Sequence, residues 1–268
     1  MRRQVNDIHL NTGRRGNSRY YFDVVAVLAS KDFKLRYRNS VLGFVWSLLN
    51  PLAYMAILTA VFSMLLRSSI PNYAPWVLIG LLIWRLFSVS TSQSLQSIIG
   101  NPSLVNKVYI PRYLIILSNN LANLIASCLE FIVLLPLLLL FGIRLTWYAL
   151  YLPVIVLMEF LLVFALSLSL ASLNVKYRDF YQIWDIALQL GFFLSPIVYD
   201  PTLIPPHYQF MYSLNPLTQL IQSVRDALLY AQPPTQFDFA VILSAMALLL
   251  LLGVFVFQRL EPKFPEEL

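Results

Sequence analysis

The stretch from Lys31 to Leu52, KDFKLRYRNSVLGFVWSLLNPL, places a basic segment directly before an apolar one. Four of its first eight residues are Lys or Arg, and the apolar part that follows contains Phe44 and Trp46. Basic residues next to an aromatic, apolar run are typical of the point where a chain enters a membrane. Pro51 interrupts the run, so we expect the helix to break there.

The composition points to an integral membrane protein. Of the 268 residues, 59% are hydrophobic and 12% are charged, and the charged share is about half that of an ordinary soluble domain. A soluble all-helical protein is the alternative, but several apolar stretches reach the roughly 20 residues that cross a bilayer. The single cysteine, Cys128, excludes an internal disulfide. No apolar segment with a cleavage site follows the basic N-terminus, so we expect no removable signal peptide.

Six apolar segments predict six membrane-spanning helices and therefore an all-α integral membrane protein. They are Val41–Leu66, Trp76–Ile98, Leu114–Phe141, Trp147–Leu173, Ile183–Tyr199 and Phe237–Phe257. An even number of spans places both termini on one side, and the basic residues concentrate there. Only Arg67, Arg144 and Arg225 fall on the opposite side. Because Lys and Arg are enriched in cytoplasmic loops, both termini are predicted to be cytoplasmic. The net charge of +6 then reflects topology better than nucleic-acid binding.

The chain divides into three parts on this interpretation. Residues 1–40 form a cytoplasmic tail with an interfacial helix, residues 41–257 form the six-helix membrane domain, and residues 258–268 form a cytoplasmic C-terminal tail. In the first part, an apolar stripe recurs at helical spacing opposite a basic face, which predicts an amphipathic helix in the membrane interface. The stripe is Tyr21, Val24, Val25, Leu28 and Leu35. Its basic residues serve either as a topological anchor or as a phosphate-binding site.

An unusual external segment lies between the fifth and sixth spans, in residues 200–232. Asn215 is a predicted N-cap and Pro216 the first residue of a helix, whose apolar stripe is Leu217, Leu220, Ile221, Val224 and Leu228. Two short re-entrant helices that gate an opening fit this pattern, and a loop that lies on the outer surface is the alternative.

Polar and aromatic residues in the spans have two interpretations each. The second span ends in SVSTSQSLQSIIG, Ser88–Gly100, whose candidate pore-lining residues are Ser90, Gln93, Ser94 and Ser97. Hydrogen bonds between helices are the alternative. Candidate channel aromatics are Tyr37, Trp46, Tyr54, Phe87, Phe193 and Tyr199. Aromatic residues also form interfacial belts.

Charged groups inside the spans are few. They are Arg85, Glu130, Glu159 and Asp185, and such residues are functional candidates because charge is costly in a membrane. A buried pair that holds helices together is the alternative. The chain has no H-E-x-x-H, no G-x-S-x-G and no phosphate-binding G-x-x-x-x-G-K-[ST]. We therefore expect no catalytic residues, no metal site and no nucleotide site in this chain.

A short cytoplasmic loop, NPSLVNKVYIPRY at Asn101–Tyr113, predicts a stubby helix that ends before Pro111. Its apolar residues Leu104, Val105 and Val108 suit the groove of a partner protein. A loop helix that rests on the bilayer is the alternative.

Several of these stretches together resemble the membrane-spanning permease subunits of ABC exporters for lipid-linked polysaccharides, which serve O antigen, capsule and teichoic acid export. The stretches are KDFKLRYRNSVLGFVWSLLNPL, NPSLVNKVYIPRYL, NVKYRDF and FFLSPIVYD continuing to LNPLTQLIQSVRDALL. The resemblance implies a homodimer in the bacterial inner membrane, joined by two ATPase subunits that bind ATP and Mg. No cofactor is expected on this chain.

The resemblance also assigns roles to residues. Lys34, Arg36 and Arg38 would meet the lipid pyrophosphate at a cytoplasmic entry. ATPase coupling would fall to Asn101, Leu104, Val105, Lys107, Tyr109, Pro111 and Arg112. The external gate would include Pro205, Asn215, Pro216, Leu220 and Arg225. An ABC permease for a drug or small lipid, a membrane enzyme acting on lipid-linked sugars and a structural scaffold remain alternatives.

Overall fold

The computed structural model describes residues 17–37, 43, 45–65, 70–107 and 110–267, and every regular element in these ranges is helical. The α-helices are α1 (Asn17–Tyr37), α2 (Val45–Thr59), α3 (Tyr73–Ser97), α4 (Pro102–Lys107), α5 (Tyr113–Leu140), α6 (Leu152–Lys176), α7 (Phe180–Leu194), α8 (Pro206–Ser213), α9 (Pro216–Leu228), α10 (Gln236–Leu260) and α11 (Phe264–Glu267). A π-helical turn, Ala60–Leu65, extends α2.

Within the described residues, five helical segments are long and apolar enough to cross a membrane. They are Val45–Phe62, Tyr73–Ser97, Tyr113–Leu140, Trp147–Lys176 and Gln236–Glu267. The chain is thus an all-helical protein with several candidate membrane spans, as its composition predicts.

The fifth predicted span differs from the others. Its helix, α7, has 15 residues and is therefore about 22 Å long, which is short of the roughly 30 Å hydrocarbon core. Pro196 explains the early end, because proline disfavours helical geometry at the residue before it. The count of six spans stays a prediction.

Helix α7 and the segment that follows it together run beside α3 over most of the length of α3. Trp184 Nε1 donates to Thr91 Oγ1 (3.1 Å), and Tyr73 Oη donates to the carbonyl of Val198 (2.8 Å). The non-helical residues 195–198 are all buried. Irregular backbone at membrane depth is tolerated only when protein covers it, and this segment meets that requirement.

The helices define two ends of the bundle. At the α4 end, a buried apolar cluster joins the last turns of α6 and α10 to α4 and α11, and it contains Ile98, Val105, Val175, Phe257 and Phe264. At the α9 end, α9 packs against α3, α6 and α10. The two ends therefore lie at opposite ends of α3.

The predicted break at Pro51 is wrong, because α2 continues through this residue. Proline removes one backbone donor, but neighbouring helices can compensate in membrane proteins, and α2 packs along α3. Pro51 is buried at this contact.

Helix α1 confirms the predicted helix before the first span, and it packs on α5. Val25 and Ala29 are buried in this contact. Leu35, predicted to lie on the same apolar stripe, is exposed.

Helices α6 and α10 approach each other closely at Gly253 of α10. A Cβ atom on this residue would lie 2.3 Å from the carbonyl oxygen of Ala165 in α6. Only glycine allows the two backbones to approach this closely. The α6–α10 pair therefore depends on this residue.

Candidate functional site

A cavity of about 710 Å³ opens between α2, α3 and α7. Its walls combine aromatic and polar side chains: Asn50, Pro51, Tyr54, Leu81, Trp84, Arg85, Ser88, Val89, Ser92, Gln93, Asp185, Leu188, Gln189, Phe192 and Phe193. We call it the aromatic cavity. Aromatic faces can contact sugar rings, and amides can form hydrogen bonds with sugar hydroxyls. Neither contact requires a charged group on the ligand.

A second cavity of about 360 Å³ lies toward the α4 end, and most of its lining residues carry polar side chains. Its lining is Asp32, Ser92, Gln93, Gln96, Ser97, Asn101, Ile115, Asn119 and Tyr181. We call it the polar cavity. It shares Ser92 and Gln93 with the aromatic cavity, so the two adjoin at these residues.

One face of α3 lines both cavities. The contributing residues recur in alternating steps of three and one from Leu81 to Ser97, which is the spacing of a single helical face. This distance corresponds to about 24 Å along the helix axis, most of the thickness of a bilayer core. A stripe of this length gives α3 a continuous lining from the α9 end toward the α4 end.

Most of the predicted pore-lining hydroxyls do not follow this stripe. Ser90 and Ser94 are buried within the helix bundle and line neither cavity, and Ser94 Oγ donates to Asn120 Oδ1 at 3.0 Å. Ser97 reaches the polar cavity but is itself buried and donates to the Ser94 carbonyl. Hydrogen bonding between helices, the alternative interpretation, accounts for Ser94, whereas Ser90 Oγ is buried without a hydrogen-bond partner. Gln93 lines both cavities and accepts from Asn123 Nδ2 at 3.1 Å.

Two of the six predicted channel aromatics, Tyr54 and Phe193, line the aromatic cavity. Phe87 is buried in the core beside Trp84 and Trp184, where a substrate has no access, and the exposed Trp46 is outside the cavity lining. The side chain of Tyr37 lies outside the described part of the structure. Tyr199 donates its hydroxyl to the carbonyl of Phe193 (2.8 Å).

Sequence reasoning missed Phe192 as a lining residue. It stacks edge-on against Trp84, with 5.8 Å between ring centroids. The adjacent Gly191 permits this contact, because a Cβ there would lie 3.0 Å from the Trp84 ring. The sequence signal was a pair of aromatics next to a glycine.

Two of the four charged residues of the spans, Arg85 and Asp185, line the aromatic cavity, and Glu130 and Glu159 do not. Arg85 Nε lies 3.1 Å from a carboxylate oxygen of the buried Glu130, which confirms the helix-joining pair as one role. Asp185 accepts from Gln189 at the aromatic cavity. Glu159 is fully buried, and neither of its carboxylate oxygens has a hydrogen-bond partner. Within the described residues, no group of three or more His, Cys, Asp or Glu could hold a metal ion.

The loop before α5 forms the predicted stubby helix, α4. Asn101 precedes it, accepts from Lys31 Nζ of α1 (3.3 Å) and donates to the carbonyl of Ser97 (2.9 Å). This asparagine therefore links α1, α3 and the start of α4.

The predicted exposed apolar patch on α4 requires a correction. Val105 is only 5% exposed, because it packs in the cluster that contains Phe264 of the C-terminal segment. Leu104 packs at the edge of this cluster. Among the side chains of α4 that the structure describes, those of Pro102, Ser103 and Asn106 are exposed.

The remaining predicted coupling residues flank this helix. Arg112 Nη1 lies 3.8 Å from a carboxylate oxygen of Glu261 and donates to its carbonyl. Pro111 is partly exposed. Tyr109 and the side chain of Lys107 lie outside the described residues.

The predicted lipid-head residues are only partly described. Lys34 has an exposed side chain on α1, where it borders a shallow surface cleft with Lys31 and Phe33. Arg38 and the side chain of Arg36 lie outside the described part. Their part in an entry site stays a prediction.

The segment between α7 and α10 contains two helices, α8 and α9, and their role as an external gate stays a prediction. Asn215 caps α9, since its side-chain oxygen accepts from the backbone N–H of Leu217 (3.0 Å), and Pro216 is the first helical residue. The apolar stripe, including Leu220, is buried. Pro205, ahead of α8, is exposed.

Arg225 of α9 has no exposed surface. Its Nε and Nη2 atoms donate to the carbonyl of Trp76 at 3.2 and 3.1 Å, and Nη2 also donates to the carbonyl of Ile197 at 3.4 Å. Burial lowers the pKa of Arg225 to about 9, partly offset by Tyr230, Tyr212, Tyr73 and Asp200, so the side chain stays charged at neutral pH.

Arg225 therefore ties α9 to the start of α3 and to the segment after α7. Gly80 makes room for it, because a Cβ there would lie 3.0 Å from Nη2. Sequence position alone placed Arg225 in an external loop. The structure places it inside the protein.

Comparison with known proteins now identifies the class. The model of the family described as ABC-2 type transporter matches residues 23–229, and the chain belongs to this family of transporter membrane proteins. It is 31% identical over 253 residues to an O-antigen export system permease protein RfbA of Klebsiella pneumoniae, which covers 93% of this chain and 96% of the relative. A protein of the same name from Myxococcus xanthus is 31% identical, with coverage of 92% and 96%. The polysialic acid transport protein KpsM of Escherichia coli is 21% identical, with coverage of 87% and 90%.

Proposed function

We propose that this chain is the channel-forming permease subunit of an ABC exporter for a lipid-linked polysaccharide, most specifically O antigen on a polyprenyl pyrophosphate carrier. Membership of the ABC-2 family and similarity to O-antigen and polysialic acid transport proteins support this proposal. The single observation that carries it is the face of α3 that lines both the polar and the aromatic cavity.

The chemistry of the two cavities suits a long glycan. A polymer that must move requires contacts that are favourable but individually weak, as in conduction pathways generally. Aromatic faces and neutral amides supply such contacts, whereas a tightly charged pocket would hold the cargo. Arg85 is paired with Glu130, so the ion pair reduces the charge that the aromatic cavity presents.

The proposal includes two copies of this chain and two ATPase subunits, which carry ATP and Mg. Helix α4 would dock on the ATPase through its exposed residues Pro102, Ser103 and Asn106. Nucleotide-driven closure of the ATPase pair would then move α4, and Asn101 would pass this motion to α1 through Lys31. Such coupling requires that the protein have two conformational states and that the nucleotide and the cargo each favour one of them.

In the proposed topology the α4 end faces the cytoplasm and the α9 end faces outward across the bacterial inner membrane. Helix α7 with the buried segment 195–198 supplies a sixth crossing. Helices α8 and α9 are the external gate, and α1 lies in the inner interface with its basic side chains toward lipid headgroups.

Two cell-based measurements test this function. Deletion of the gene should abolish surface polysaccharide and leave lipid-linked glycan inside the cell, and the intact chain should restore export. Gln189→Leu removes a polar group from the aromatic cavity, whereas Gln182→Leu makes the same change on an exposed site of α7 outside both cavities. Export should fall with the first variant only. Unchanged surface polysaccharide in the deletion strain would refute the proposal.

A binding experiment tests the ATPase partnership. The purified chain should retain the ATPase subunit in a pull-down, and Asn106→Glu should weaken retention because Asn106 is exposed on α4. Gln182→Glu places the same charge on exposed α7 as the control. Equal retention by both variants would remove α4 from the proposed interface.

A further inference from the structure

A third cavity, of about 430 Å³, lies at the α9 end, and its volume is in the range of about 300–1,000 Å³ that small-molecule sites occupy. It is enclosed by α8, α9, the start of α3 and the turn after Asp200. We call it the outer cavity. Nine of its eleven lining residues carry a polar group in the side chain, and Trp76 and Pro201 are the other two.

The outer cavity presents hydrogen-bond acceptors. Gln209, Gln219 and Gln222 line it, and each donates its amide Nε2 to the protein, to the carbonyls of Ile204 and Ser213 and to Asp226 Oδ1. These bonds orient the three amides and leave their carbonyl oxygens available. Asp200 adds a carboxylate.

Two buried hydroxyls belong to the cavity wall. Tyr212 and Thr218 line the cavity, but their hydroxyl oxygens are inaccessible, and the Tyr212 hydroxyl interacts with the side chains of Thr218 and Tyr199. Direct contacts with a ligand therefore fall to Asp200 and the three glutamines.

The positive charge of Arg225, which lies behind the wall of the outer cavity, determines which ligands fit. The guanidinium of Arg225 is close enough to Asp200, Tyr212 and Tyr230 for electrostatic interaction, and its Nη1 has no hydrogen-bond partner. A fixed positive charge opposes a metal cation, although carboxylate and amide oxygens would otherwise suit one. Neutral polyols, whose hydroxyls both donate and accept, match the set best.

One residue, Tyr199, contacts the lining of both the aromatic and the outer cavity. Its hydroxyl donates to the carbonyl of Phe193, which lines the aromatic cavity, and its ring lies 6.5 Å from that of Tyr212, which lines the outer cavity. The outer cavity therefore lies on the α9 side of the aromatic cavity, in the direction of export in the proposed topology.

We propose that the outer cavity is a carbohydrate-binding site that holds one segment of the departing glycan through Asp200 and the three glutamine carbonyls. This inference rests on the proposed function, since the exported polysaccharide supplies the ligand. Weak sugar contacts at the exit would slow backward movement while the gate helices close.

Photo-crosslinking in cells that make the polysaccharide tests the site without knowledge of the sugar. The variant Tyr230→p-benzoylphenylalanine places the probe at the cavity, and Tyr208→p-benzoylphenylalanine places it on an exposed site of α8 outside the cavity. After irradiation and purification, carbohydrate on the chain is detected by periodate oxidation and hydrazide labelling. Strong labelling at Tyr230 and weak labelling at Tyr208 is expected, and equal labelling overturns the proposal.

A charge variant sharpens the test. Asp200→Asn keeps an oxygen that can accept from the backbone N–H of Thr202 (2.9 Å), and it should lower crosslinking at Tyr230 about tenfold, because a hydrogen bond to a charged group is lost. Asp179→Asn, before α7, is the charge-matched control. Unchanged crosslinking at Tyr230 in the Asp200→Asn variant would overturn the carbohydrate assignment. Binding of Ca²⁺ to the purified chain, with no carbohydrate label at Tyr230, would also overturn it.

The deletion strain separates the two levels of failure. If surface polysaccharide does not depend on the chain, the proposed function itself fails. If export depends on the chain but crosslinking at Tyr230 equals that at Tyr208, only the outer cavity site fails.

Discussion

The central guanidinium carbon of Arg225 lies 3.3 Å from the centre of the Trp76 ring, while two nitrogens of the same group donate to the Trp76 carbonyl. One side chain of α9 thus contacts both the ring and the backbone of a residue near the start of α3. Arginine suits this position, because its planar group can stack and donate in two directions at once. The contact sets the position of α9 on the bundle.

Replacing Arg225 by lysine should destabilise the protein. Arg225→Lys keeps the charge but loses the stacking and the paired donors, and we expect a loss of about 3 kcal/mol in the free energy of unfolding. Thermal unfolding in detergent measures this effect. Arg144→Lys, at an exposed arginine of the connection between α5 and α6, should leave the midpoint unchanged. Equal midpoints for the two variants would contradict the structural role of Arg225.

The Arg85–Glu130 pair should show strong coupling. Glu130→Leu leaves the Arg85 charge without its 3.1 Å partner, and breaking a buried pair in this way costs about 3–5 kcal/mol. Arg85 is a quarter exposed, so screening by solvent should keep the cost of breaking the pair at the lower end of this range. The double variant Arg85→Leu with Glu130→Leu should be less destabilised than the sum of the two single changes. Strict additivity in unfolding measurements would show that the pair contributes no coupling.

Gly253→Ala should separate α6 from α10. The added Cβ meets the Ala165 carbonyl oxygen at 2.3 Å, and overpacking of this kind typically costs about 1–3 kcal/mol. Purified protein should unfold at lower temperature and give less folded product. Leu251→Ala, at an exposed position of the same helix, is the control. An unchanged midpoint for Gly253→Ala would mean that the two helices are not this close.

The stability of the α9 end should depend on Asp226. The pKa of this carboxyl is raised to about 6, mainly because it is buried; the hydrogen bond from Gln222 and the charge of Arg225 oppose the rise, and the nearby Asp238 adds to it. Because the folded pKa exceeds the unfolded one, the folded state binds more protons between about pH 4 and 6, and this contribution to stability is lost as pH rises through that window.

Asp226→Asn should therefore raise the unfolding midpoint at pH 8 and have little effect at pH 4. Asparagine keeps an oxygen that can accept from Gln222 Nε2, now at 2.9 Å from the carboxylate, so the charge is the main change. Asp179→Asn, at an exposed position before α7, is the matched control variant. A midpoint difference that is the same at both pH values would contradict a raised pKa at Asp226.

Local patterns predicted the elements of the fold well. The apolar stripe of α9, including Leu220, is buried as its spacing indicates, because helical periodicity is a property of neighbouring residues. Pro196 is also a local signal, and it indicates that α7 ends early. The apolar residues on both sides of Pro196 nevertheless give the segment the hydropathy of a full span. The cap at Asn215 followed from the same kind of local reasoning.

Contacts between distant segments were beyond such patterns. Val105 looked exposed because its short helix carries apolar residues next to polar ones, yet the C-terminal segment returns to cover it through Phe264. Ser94 looked like a pore residue, yet Asn120 of α5 accepts its hydroxyl. A polar helix face indicates that a partner exists, and only the packing decides whether that partner is water or another helix.

Phe264 is only 1% exposed, so the residues just after it are a poor attachment site for a tag or label. Any affinity tag or fluorescent fusion attached directly after Leu268 would begin only a few residues from the cluster that supports α4. Pulling or crowding at that point would disturb α4, so a labelled version should be built with a long spacer or carry its label elsewhere.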